Sequence, residues 1–297
     1  MPILLYLVIS IIKEVSPANN TDADVSPAVT KALRTFAILC KPDSFNGEEE
    51  KHTSQSLQLV LSALVYLLEA YREPRGLQPL VLLYAVAILS HSCPAEVLAC
   101  ERIREQVVST VTSIWEKAGT SKVRKAFIQM CQTLFQHPDS IVSHCYVRSL
   151  GPLLCSHLLH ATSHQPLDLQ EISMAVTAVE VLVSLTPAEH SVSTVALLCS
   201  LFSTYLLNTV NYDSATPQAK QLFTVGLEAI KTLASNHPQQ FKVVTSNSPP
   251  LRSAIEQAFL LHQSNEAAAQ KKAAEASKQK QQAKPAIQLK MNFGNFT

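Results

Sequence analysis

The densest cluster of side chains able to do chemistry is His144, Cys145, Cys155, His157, His160 and His164. On a helix, His157, His160 and His164 fall on one face, a spacing at which imidazoles can hold a zinc ion. Structural zinc favours closely paired cysteines, and the chain has no C-x-x-C, so these histidines read as members of a polar helix face and the loop after it. A Cys–His nucleophile needs a third group to orient the imidazole and a pocket to receive an oxyanion. Nothing local supplies either. The expectation is no catalytic residue, no cofactor and no metal.

Other chemistries fail on composition. Only 6 glycines occur in 297 residues, at Gly47, Gly76, Gly119, Gly151, Gly226 and Gly294. Phosphate-cradling loops need two or three glycines within a few positions, which excludes a P-loop and a dinucleotide fingerprint. No G-x-S-x-G elbow or H-E-x-x-H helix is present. Net charge is +1, but the stretch from Glu266 to Lys290 holds six lysines against two glutamates, which leaves the rest at −3. A mildly acidic body is a poor partner for DNA or RNA. Arg102, Arg104, Lys122, Arg124 and Lys125 form two short basic runs near Trp115. They read as solvated helix ridges, with a partner-binding strip as the alternative.

Positioning falls to helices. Apolar residues recur at the 3.6-residue period, as in Leu57, Leu61, Leu64 and Leu68, and no strand pattern is convincing. Leu77 to Leu89 is apolar on nearly every side, so Leu82, Val86 and Leu89 are expected fully inside, between neighbouring helices. At 13 residues that run is too short to span a bilayer, which takes about 20. Pro2 to Ile12 is also apolar all round and too short. It reads as a buried helix whose outer side meets something absent from this chain, as at a cut in a longer protein. The seven cysteines, odd in number, read as reduced core residues of a cytosolic protein.

Five prolines follow similar apolar helix ends, at Pro42, Pro94, Pro138, Pro187 and Pro238, with intervals of 52, 44, 49 and 51 residues. Each interval has room for two helices and a short polar loop, roughly eleven or twelve helices in all. A two-helix unit of about 40–47 residues is the HEAT or armadillo range. The expected fold is all-α, an α-solenoid of HEAT-like helix pairs over residues 1–262 whose units are stable only when stacked. The alternative is an irregular helical bundle. Lys41 to Ser54, with three consecutive glutamates, interrupts the pattern as a loop.

Residues 263–297 differ in kind. Asn265 to Lys284 is Ala, Lys, Gln and Glu without a large apolar residue; an extension of the last helix for a few turns is open to it, but no face can pack, so it reads as a solvated, frayed, mostly disordered linker. After Pro285 come Ile287, Leu289, Met291, Phe293 and Phe296. Phe293, Gly294 and Phe296 are the candidate protein-binding residues, a peptide presented to another protein. A cap folded back on the solenoid is the alternative.

These residues resemble a family. Pro2-Ile3-Leu4-Leu5-Tyr6-Leu7, the His-Pro junctions at His137 and His237, and the closing Lys284-Pro285-Ala286-Ile287-Gln288-Leu289-Lys290-Met291-Asn292-Phe293 are similar to the C-terminal part of the HEAT-repeat-containing protein 5 family. The closing segment is the most specific of these. The resemblance implies a non-enzymatic accessory role in clathrin-adaptor traffic between endosomes and the trans-Golgi network. It implies a complex with aftiphilin and gamma-synergin, and a cytoplasmic location peripheral to those membranes, with no transmembrane segment. In that context Phe293-Gly294-Asn295-Phe296 is similar to motifs that bind the gamma-adaptin ear, with Asn295 where an acidic residue or proline is usual. The competing class is an importin-like transport receptor, which needs an acidic concave face for basic cargo.

Overall fold

Apolar runs without glycine, cut by proline and short polar loops, have few options but helices packed on helices. The computed structural model describes residues 2–15, 25–39, 50–72, 77–93, 95–161 and 168–282. Among them there are fourteen α-helices and no strand, so the fold is all-α. They are α1 (Pro2–Val15), α2 (Pro27–Leu39), α3 (Glu50–Arg72), α4 (Pro79–Ser92), α5 (Ala95–Ala99), α6 (Glu101–Glu116) and α7 (Ser121–Phe135). After these come α8 (Ser140–Leu159), α9 (Leu169–Leu185), α10 (Ser191–Ser203), α11 (Thr209–Ser214), α12 (Pro217–Asn236), α13 (Pro238–Asn247) and α14 (Pro249–Gln282). None of the described helices is long and apolar enough to cross a membrane.

The contacts between helices follow a simple rule. α1, α3, α6, α8, α10 and α13 each pack on the next member of that series, and so do α2, α4, α7, α9, α12 and α14. The two series are joined by α1 on α2, α3 on α4, α6 on α7, α8 on α9, α10 on α12 and α13 on α14. One apolar core runs between them from Val8 to Ile255, with Phe36, Phe127, Phe135, Tyr146 and Phe202 fully buried within it.

Leu82, Val86 and Leu89 lie inside as expected, and so do Leu80, Val81, Leu83 and Ala85. α4 touches α2, α3 and α7, which explains why its apolar residues need no single face. α1 buries Val8, Ile9 and Ile12, while Ile3, Leu4, Tyr6, Leu7 and Ile11 are exposed.

Helix starts follow local chemistry. Asp139 accepts from the N–H of Ile141 and caps α8, and Thr216 caps α12 with Pro217 in its first turn. The Pro187 junction opens differently. There a single 3-10 turn, Ala188–His190, precedes α10.

Three expectations are corrected. The helix count exceeds the expected eleven or twelve because α5 and α11, of 5 and 6 residues, are too short to show a period. The stretch expected to be a frayed linker is helical to Gln282, the end of α14. Ala, Lys, Gln and Glu are strong helix formers, and adding turns to a helix already nucleated at Pro249 requires no packed face. The loop expected over 41–54 ends earlier, because residues 50–54 are the first residues of α3; residues 40–49 and the candidate residues Phe293, Gly294 and Phe296 lie outside the described residues.

Candidate functional site

Helical spacing turns three stripes toward one space. On α2, Thr30, Leu33, Arg34 and Ala37 recur at helical intervals; on α4, Leu80, Tyr84, Ala87, Ile88 and His91; on α7, Lys122, Lys125, Gln129 and Thr133. Because α4 lies between α2 and α7, the stripes line one groove of about 780 Å³. Leu33, Leu80, Ala87 and Met130 give it an apolar floor, and Arg34, His91 and Lys122 are exposed at its edge. Lys125 is fixed in place: its Nζ is 2.7 Å from Asp168 Oδ2 and donates to Gln170 Oε1 at 2.8 Å. The described residues lining the groove include no carboxylate.

Asp168 does several jobs at once. Its Oδ1 caps α9 by accepting from the N–H groups of Gln170 and Glu171, and its Oδ2 accepts from Ser121 Oγ at 2.6 Å. Partial burial pushes its carboxyl upward. Bonds from Lys125, Ser121 and the Glu171 N–H, with the Lys125 charge, more than offset that and hold it at about 2.

Arg124, one residue before Lys125, points the other way. Its Nε donates to Glu171 Oε1 at 2.7 Å, and its Nη1 donates to the Ala118 carbonyl at 3.2 Å. Glu171 is buried, and His157 Nε2 stands 2.9 Å from the same carboxylate oxygen. Trp115 closes the group, edge-on to His157 at 5.0 Å and against Phe127 at 4.6 Å. Burial raises the Glu171 carboxyl, but the bonds from His157 and Arg124 and the Arg124 charge outweigh it, so Glu171 titrates below the ordinary range. This is an internal staple joining α6, α7, α8 and α9.

The histidine cluster does not converge. His144 Nε2 lies 2.6 Å from the Leu185 carbonyl, His157 faces Glu171, and His160 Nδ1 lies 2.8 Å from the Ser156 carbonyl of its own helix. His164 is outside the described residues. Among the described residues no three His, Cys, Asp or Glu side chains stand close enough to hold a metal ion. Cys145 Sγ meets Arg104 Nη1 at 3.7 Å, not an imidazole, and burial pushes the Cys155 thiol up, away from nucleophile character.

The basic runs are thus split by the structure. Arg124 is internal, Lys122 and Lys125 line the groove, and Arg104 lies 3.8 Å from Glu101. Sequence reasoning missed Arg34 and His91, because their meeting with Lys122 depends on which helices are neighbours. A smaller furrow of about 430 Å³ lies between α9 and α12; its described lining residues include Glu180 and Glu228 and no basic residue. No family model matches the chain, and no solved structure matches it.

Proposed function

We propose that the chain is a HEAT-type α-solenoid acting as a non-catalytic, protein-binding scaffold in clathrin-adaptor traffic between endosomes and the trans-Golgi network. The observation that carries the solenoid reading is a repeated register. Ser121 bonds to Asp168 and Arg124 to Glu171 between α7 and α9, and Tyr205, just after α10, bonds to the Leu158 carbonyl of α8, each pair 47 residues apart. A side-by-side offset equal to the length of one helix pair is what stacked HEAT units produce and an irregular bundle does not. The trafficking role, and the partners aftiphilin and gamma-synergin, rest on the resemblance of the closing segment to the HEAT-repeat-containing protein 5 family. An importin-like receptor for basic cargo is disfavoured by the larger groove, whose edge carries Arg34 and Lys122.

The test is affinity capture from cytosol with the full chain as bait. Enrichment of clathrin-adaptor subunits with aftiphilin and gamma-synergin is the expected result. Enrichment of basic nuclear cargo instead would overturn the reading. Capture repeated with Phe293→Ala and Phe296→Ala separates the terminal aromatic peptide from the helical body as the adaptor contact.

A further inference from the structure

We infer that the pocket between the C-terminal ends of α3 and α6 binds a small molecule carrying two phosphate groups. The site goes beyond the scaffold reading above and stands without it.

Helical spacing builds the α6 wall. Ser109, Thr110, Ser113 and Lys117 recur three and four residues apart, so one face of the helix lines a pocket of about 540 Å³ with three hydroxyls and an ammonium. That volume falls in the range of small-ligand sites, about 300–1,000 Å³. Arg72 reaches across from the end of α3, and its Nη2 donates to Oγ1 of the buried Thr110 at 3.3 Å. One N–H of the guanidinium fork thus fixes the side chain and leaves the others to bind an anion. Leu77 and Pro79, at the entry to α4, add an apolar wall for the part of the ligand that carries the phosphates.

Charge selects the ligand. The described residues lining the pocket include no carboxylate, and among the described residues none pairs with Arg72 or Lys117. Other cations of the body are neutralised across helices, Arg124 by Glu171 and Lys125 by Asp168. Both pocket cations stand at helix C-termini, where each dipole end supplies about half a negative charge. Two full positive charges exceed two such ends, so the dipoles favour the cations without cancelling them. Thr110, which holds Arg72, and Lys117 are about 10 Å apart along α6 at helical rise. That span suits two phosphates on one molecule, one at each cation, with the Ser113 hydroxyl able to donate between them. The glutamates at 48–50 lead into the opposite end of α3, about 33 Å from Arg72 at helical rise and beyond their reach.

The experiment is isothermal titration of the full chain with inorganic pyrophosphate and with inositol trisphosphate, in magnesium-free buffer at pH 7.5. One molecule should bind per chain. The variant Arg72→Gln/Lys117→Gln alters only exposed side chains and should keep the wild-type circular dichroism spectrum. It should bind both probes at least tenfold more weakly. Arg72→Lys keeps the charge but not the fork held at Thr110, and should lose at least threefold. Lys242→Gln, at an exposed lysine of α13, should stay within twofold. No binding of either probe at 1 mM, or equal binding by wild type and Arg72→Gln/Lys117→Gln, would overturn the assignment. An equal loss in Lys242→Gln would also overturn it, in favour of diffuse charge attraction. Glu73, next to Arg72 in sequence, is the competing anion within the chain. Glu73→Gln should change binding by less than twofold, and a tenfold gain would give the pocket to that carboxylate instead. Flotation with phosphatidylcholine vesicles containing 5% phosphatidylinositol bisphosphate then distinguishes the two sources of such a ligand. Co-flotation that Arg72→Gln/Lys117→Gln abolishes assigns a lipid headgroup, and binding of the soluble probes without flotation assigns a soluble phosphate.

Discussion

Arg124 and Glu171 are 47 residues apart in the chain and 2.7 Å apart in space, and the carboxylate they share with His157 is shut away from water. A buried charge held by two partners is costly to strand and cheap to replace as a set. Glu171→Ala leaves the Arg124 guanidinium half-buried without its carboxylate, and unfolding in urea should show a loss of about 3–5 kcal/mol. The double variant Arg124→Met/Glu171→Leu should recover most of that loss. A double variant no more stable than Glu171→Ala would mean that the pair contributes net stability of its own.

Acid should act on the same junction. The folded pKa of Asp168, about 2, lies below the ordinary aspartate value near 3.9, so its contribution is complete above that ordinary value and is lost as pH falls toward 2. Asp168→Asn keeps a capping side chain for α9 while removing the charge. Wild type should therefore be more stable than Asp168→Asn at pH 6, and the gap in melting temperature should close between pH 4 and pH 2. Asp168 is partly solvated, so the gap is a few degrees at most. Equal stability of the two proteins at every pH would show that the side chain acts only as a cap.

Much of the fold was legible and the groove was not, for one physical reason. Hydrophobic period and proline position are local, so the helical class, the α4 core residues and the junctions near Pro138 and Pro238 can be read along the chain. Charge at the groove is a property of three helices at once. Lys122, Arg124 and Lys125 are nearly adjacent in sequence, yet two line the groove and one is internal, because a helix turns about 100° per residue. α14 was misread for a different reason: absence of a packed face says nothing against a helix whose residues favour that conformation on their own.

Val86 tests the covered position of α4. It is 3% exposed, with α2, α3 and α7 all packed on its helix. Val86→Asp puts an unpaired carboxylate among them and should lower stability by about 3–5 kcal/mol in denaturant titration. Val86→Ala removes two methyl groups without adding charge and should cost about 1–3 kcal/mol. Equal effects from the two substitutions would show that water reaches the site.

Thiol chemistry should report the layering independently. Cys100 is exposed, whereas Cys131 and Cys199 are buried, with burial pushing the Cys131 thiol well up and Cys199 to about 11. Iodoacetamide at pH 7.5, followed by peptide mass spectrometry, should modify Cys100 first. Cys131 and Cys199 should react only on unfolding. Early modification of Cys131 would place a local opening within α7.

Two glycines in helix interiors should respond to the same substitution to different degrees. A methyl group at Gly226, in α12, would come within 2.8 Å of Tyr205 Cβ and 3.1 Å of the Phe202 carbonyl oxygen. Neither neighbour is a flexible side-chain end, and Tyr205 is further held by its hydroxyl, which donates to the Leu158 carbonyl. The α10–α12 contact must open to admit the methyl, so Gly226→Ala should destabilise by about 1–3 kcal/mol. At Gly151, in α8, the added methyl would meet Leu182 Cδ2 at 3.6 Å and Val147 Cγ1 at 3.9 Å, ordinary contact distances, but Pro152 follows directly. The helix preference of alanine is there opposed by the proline ring, which crowds a Cβ on the residue before it, so Gly151→Ala should change stability by less than about 1 kcal/mol. Thermal unfolding of the two variants side by side decides it. A neutral Gly226→Ala would mean that α12 does not approach the end of α10 closely enough for glycine to be needed.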